Sequence, residues 1–66
     1  MDAVRFSVML PRFAAAVTAQ CPCDKIYGSQ PEDATFAAAE AATPEQVANA
    51  TAAVQAFDWS EDAQSA

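Results

Sequence analysis

The sequence predicts a small single domain of the α+β class, with an N-terminal extended segment, a helix, a short strand and a C-terminal amphipathic helix. Three observations point there. Thr43-Pro44-Glu45-Gln46 opens a capped amphipathic stretch that runs to Phe57. Pro11 separates an alternating segment from an alanine-rich one, and Gly28-Ser29-Gln30-Pro31 is the clearest turn signal in the chain. The alternative is an all-α chain of three short helices.

Taken in order, Val4-Arg5-Phe6-Ser7-Val8 alternates apolar and polar residues as a half-buried strand does. Phe6, Met9, Leu10, Phe13 and Val17 also follow helical spacing. Proline is tolerated in the first turn of a helix and disrupts its interior. Pro11 therefore places an extended segment at 3–9 and a helix at about 11–20, with Leu10, Phe13 and Val17 facing inward. Ala14-Ala15-Ala16 gives that helix high propensity. Pro22 ends it, and Cys23 to Tyr27 reads as a short strand before Gly28, the only glycine. Residues 31–42 read two ways, as an alanine-rich helix opened by Pro31 or as a return strand through Thr35-Phe36-Ala37; composition slightly favours the helix.

The helix at 44–57 rests on the most local signals. Thr43 is a good N-cap, Pro44 suits the first helical position, and Gln46 completes a capping box by reaching back to the backbone of Thr43. Val47, Ala50, Val54 and Phe57 form one apolar stripe, with Glu45, Asn49, Thr51 and Gln55 largely outside it. Residues 1–60 read as the domain and 61–66 as an acidic, polar tail.

A chain of 66 residues buries only about 60% of the surface its unfolded form exposes. Apolar residues make up 53% of it, but many are alanines that add little burial area. Its core is thin, so either packing is unusually good or a partner supplies the rest. Net charge is −6 and unevenly placed. Residues 1–25 carry Arg5, Arg12 and Lys25 against Asp2 and Asp24, whereas 26–66 carry seven carboxylates and no cation. Such a surface repels phosphates, so direct nucleic-acid binding is not expected. No run approaches the roughly 20 apolar residues of a membrane span, and no membrane partner is expected. Pro11, Arg12 and Asp2 spoil a signal-peptide reading of the region before Val17-Thr18-Ala19, so the N-terminus reads as mature protein.

Chemistry-bearing motifs are sparse. The chain has no histidine, no nucleophile elbow and no glycine-rich phosphate loop, so no catalytic residue, cofactor or enzyme activity is expected. Cys21 and Cys23 flank Pro22. Two sulfurs with a one-residue spacer do not make a zinc site, and no metal is expected. A disulfide between them closes a small, strained ring, although Cys-x-Cys redox pairs exist. The simpler reading is two small apolar residues at a helix end. Asn49-Ala50-Thr51 matches a glycosylation sequon but falls inside the expected helix.

Ala42-Thr43-Pro44-Glu45-Gln46, followed by alanine-rich spacing to Val54-Gln55-Ala56-Phe57-Asp58-Trp59-Ser60, resembles the C-terminal segment of small virion-associated proteins of tailed bacteriophages and prophages. That resemblance covers residues 34–60 well and the rest loosely. It implies a strand pair before the final helix, hence a β-hairpin with its return strand near Phe36. It also implies a structural or accessory virion protein, such as a minor capsid or cement protein or a small tail or neck component. Its partners would then be other virion proteins in many copies, and its location the virion after synthesis in the bacterial cytoplasm. The alternative is a small non-virion phage protein, an inhibitor or assembly chaperone, whose acidic surface engages a basic partner. Phe6, Phe13, Phe36, Val47, Val54, Phe57 and Trp59 are the expected packing and interface residues, with Thr43 and Gln46 as the cap. Trp59 is expected to fold back over Phe57 and Val54 as a lid, or else to anchor a partner.

Overall fold

The computed structural model describes residues 2–59 and shows two helices and a two-stranded antiparallel hairpin. Ser60 and the 61–66 tail lie outside the described residues. The elements are α1 (Ala3–Thr18), β1 (Cys23–Tyr27), β2 (Thr35–Ala38) and α2 (Pro44–Ala56). The α+β class and the hairpin are as expected.

The extended segment expected at 3–9 is instead the first half of α1. Asp2 caps it: its backbone is extended, and its carboxylate accepts the Arg5 N–H at 2.8 Å. Pro11 lies inside the helix, at a cost of about 3 kcal/mol for an interior proline. The N–H it lacks would have reached the carbonyl of Ser7, one turn earlier on the same exposed face, where water can serve that oxygen. Against this cost stand the buried side chains of Phe6 and Met9, each contributing about 1.5–3 kcal/mol. A strand over 3–9 would break their alignment with Phe13 and Val17, which share the stripe and are fully enclosed. Burial outweighs the proline. Ala19 caps the helix at its C-terminus, its N–H reaching the Ala15 carbonyl, so α1 ends slightly before the expected residue 20.

In the hairpin, Lys25 pairs with Ala37, Ile26 with Phe36 and Tyr27 with Thr35. A register irregularity between Cys23 and Lys25 sets Asp24 apart. Such a bulge resets the alternation of faces; here both Cys23 and Ile26 pack against the core although they are three residues apart. Lys25 and Tyr27 are exposed, and the Lys25 ammonium lies 4.8 Å from the centre of the Tyr27 ring.

The turn needs its glycine. Gly28 has φ of 143°, and a Cβ there would stand 2.6 Å from the Ala34 Cα. Asp33 knots the loop: its carboxylate accepts the backbone N–H groups of Ser29 and Gln30, at 2.8 and 2.9 Å, and the Ser29 hydroxyl at 3.0 Å. The Gln30 and Ser29 N–H groups hold the Asp33 carboxyl below its ordinary range.

At the start of α2 the capping box is complete. Gln46 N–H donates to the Thr43 hydroxyl at 3.1 Å, and Thr43 N–H donates to the Gln46 side-chain carbonyl at 2.9 Å. Ala50 is fully enclosed, and its small side chain lets α2 lie close to α1; Val47 and Val54 are half-buried beside it. Thr43→Ala should destabilise the protein by about 1 kcal/mol, measured as a lower melting temperature with reduced helicity. If neither Thr43→Ala nor Val54→Ala changed melting, 44–56 would not be a packed helix.

Candidate functional site

Four aromatic rings meet where the chain leaves α2. Phe57 ends the helix in an extended conformation, which turns Asp58 and Trp59 back toward α1. Trp59 stacks on Phe6 at 5.3 Å with 13° between planes and on Phe13 at 5.1 Å and 29°. It meets Phe57 edge-on at 4.8 Å and 76°, and Phe57 meets Phe13 edge-on at 5.3 Å and 82°. Offset and edge-to-face geometries of this kind suit the ring quadrupoles. Of the residues expected to pack, Phe6, Phe13, Phe57 and Trp59 thus form one cluster spanning both helices. Phe36, Val47 and Val54 pack on the same core from β2 and α2. Trp59 was expected to fold over Phe57 and Val54; it meets Phe57 edge-on, and its two stacked partners, Phe6 and Phe13, are on α1.

The opposite face of α1 is also apolar. Val4 is 77% exposed and Val8 62% exposed, and exposed Pro11 and Ala15 continue their line at helical spacing. A shallow, open hollow lies along Asp2, Ala3, Val4, Arg5 and Val8. It has none of the enclosure a small-molecule site needs. This outer stripe was missed in the sequence because a strand was expected over 3–9; the spacing of Val4, Val8, Pro11 and Ala15 is legible once the helix starts at residue 3.

Asp24, Glu32, Asp33, Glu40, Glu45 and Asp58 are all exposed, and no charged or polar residue is buried among the described residues. Within those residues no group of three or more His, Cys, Asp or Glu is placed to hold a metal ion, and no helix is long and apolar enough to cross a membrane.

The corner between α1 and β1 holds both thiols. Cys21 is buried in the core and Cys23 half-buried at the start of β1; both are free. The Cys21 thiol donates to the Pro22 carbonyl and the Cys23 thiol to the Cys21 carbonyl, each at 3.2 Å. Desolvation, and then the neighbouring Cys21, push the Cys23 thiol above its ordinary value. Asp33 and Cys21 are structural residues that sequence reasoning underweighted. An aspartate four residues after Ser29 is a recognisable loop-capping signal, whereas the depth of Cys21 depends on tertiary packing. Comparisons with protein-family models, with curated proteins and with solved structures give no match.

Proposed function

We propose that this chain is a non-enzymatic packing module of a larger assembly, namely a structural or accessory protein of a tailed-phage virion that binds a capsid or tail surface. The observation that carries the reading is the outer face of α1. That helix already buries one apolar stripe, yet it presents a second one, led by Val4 and Val8, to solvent. Apolar side chains grouped on one exposed helix face are the usual material of a protein contact. The resemblance of residues 34–60 to virion-associated proteins supplies the virion setting.

In particles made with the wild-type chain, mass spectrometry should find it in fixed ratio to the shell or tail proteins. The double variant Val4→Lys, Val8→Lys alters two exposed helical positions and should change stability by no more than about 1 kcal/mol in all. It should nevertheless be lost from the particles by at least tenfold. Retention of the double variant at the wild-type ratio would exclude the α1 face as the contact. A stable, cooperative monomer absent from purified particles would favour the second reading, a non-virion interaction protein. That reading draws on the exposed carboxylates among the described residues, which suit a basic partner.

A further inference from the structure

We infer that the partner of the outer α1 face is an amphipathic helix bordered by carboxylates, laid along Val4, Val8, Pro11 and Ala15 with its acidic border against Arg5 and Arg12. The inference rests on the reading of that face as the contact surface. The four exposed positions follow one another at intervals of four, three and four residues, the heptad pattern that keeps a seam turned toward a second helix. They extend along about 16 Å of α1. Their side chains shrink from valine at one end to proline and alanine at the other, so a helix packed on them must supply the bulk, as leucine does. The open hollow along Val4, Arg5 and Val8 is the place for one such side chain.

Charge specifies the border. The chain carries a net charge of −6, yet two of its three cations, Arg5 and Arg12, lie on α1. Each directly follows a seam residue, Arg5 after Val4 and Arg12 after Pro11, so both fall on one border of the seam, and Arg5 lines the hollow itself. Ser7 and Ala14 form the other border. A guanidinium has five N–H donors, so it can take a partner's carboxylate in addition to contacts within its own chain. Asp2, whose carboxylate accepts the Arg5 N–H, closes the N-terminal end and disfavours a partner's carboxylate there. A second copy fits less well. Each chain is acidic, an antiparallel pair of α1 helices sets the arginine border against itself, and a parallel pair sets it against Ser7 and Ala14. An anionic membrane suits the arginines alone, because two valines are a small apolar face and the net charge of −6 is repelled.

The test uses two labelled synthetic peptides, each about three heptads long with leucine at both seam positions, one bordered by glutamate and the other by lysine. Fluorescence anisotropy reads their binding to the full chain at about 0.05 M and at about 0.5 M salt. Wild-type protein should bind the glutamate peptide at least tenfold more tightly than the lysine peptide, and that preference should shrink at the higher salt. Val4→Ser, Val8→Ser, which removes the apolar contact without adding charge, should weaken glutamate-peptide binding at least tenfold. Arg12→Glu should weaken it about five- to tenfold and strengthen binding of the lysine peptide, a gain that an unfolded variant would not produce. Equal binding of the two peptides, or no binding of the glutamate peptide, would overturn the inference. So would self-association of the chain, or binding to phosphatidylglycerol vesicles, that Val4→Ser, Val8→Ser abolishes. Failure of the contact reading shows separately, as retention of Val4→Lys, Val8→Lys in particles; loss of that variant from particles beside equal binding of the two peptides would leave the contact standing and remove only the acidic helix.

Discussion

Phe13→Ala should abolish the cooperative melting transition or lower it to near room temperature. Phe13 is completely enclosed and is the largest fully buried side chain among the described residues. It also meets two of the other three rings directly, Phe57 edge-on and Trp59 stacked. Removing a buried phenylalanine ring costs about 3–5 kcal/mol once the cavity is included. A domain of this size has roughly 3–10 kcal/mol of total stability at about 0.05–0.15 kcal/mol per residue, and alanine-rich packing places this one toward the lower end. The loss is thus comparable with everything the fold has. Phe36→Ala, on a half-buried β2 side chain, should cost clearly less and is the control. Circular dichroism against temperature decides the matter. Equal melting of Phe13→Ala and wild type would mean that the two helices are not held together through this ring. Because a partner that binds only the folded form stabilises it by mass action, the Phe13→Ala chain should also regain helicity in the presence of the virion surface proposed as its partner.

How much of this was legible in the sequence depended on how local the determinants are. The α2 cap is built by Thr43, Pro44 and Gln46 within one turn, and those residues announce it unaided. The hairpin is a harder case. Thr35–Ala38 is half alanine, with little strand preference of its own, and composition leaned toward a helix; the resemblance to virion-associated proteins suggested the strand. What holds it is the pairing of Ile26 with Phe36 over the core and the Gly28–Asp33 loop that brings them together. The first half of α1 was misread for the opposite reason. Pro11 and the Val4–Val8 alternation are strong local signals, and they lose to burial of Phe6 and Met9, a tertiary gain no local pattern displays. The same error hid the outer stripe of Val4 and Val8, on which the proposed contact rests. The direction in which Trp59 turns was equally out of reach, since the spacing places it beyond α2 without saying that its ring lands on α1.

Trp59→Ala should cost about 2–4 kcal/mol, less than a fully buried tryptophan because the side chain is half-buried, yet enough to loosen the end of the chain from α1. The cost follows from position. Trp59 stacks on Phe6 and Phe13 and meets Phe57 edge-on, so it closes the aromatic cluster between the two helices. A lid and a partner anchor make opposite demands on this residue. If Trp59 is a lid, Trp59→Ala lowers melting temperature in the isolated chain, and Trp59→Phe, which keeps a ring for the stack, recovers most of the loss. A double-mutant cycle with Phe6→Leu should show a coupling of about 0.5–1.5 kcal/mol, the amount by which an aromatic pair exceeds its area burial. If Trp59 is an anchor, Trp59→Ala leaves melting unchanged and reduces only particle binding. Trp59 is the single tryptophan, so its emission reports the same event: it should shift to the red in step with loss of helicity. Red-shifted emission in the fully folded isolated chain, with unchanged melting of Trp59→Ala, would remove Trp59 from the core and transfer it to the interface. The stacked geometry on two α1 rings favours the lid, and the proposed contact then rests on the outer Val4–Val8 face.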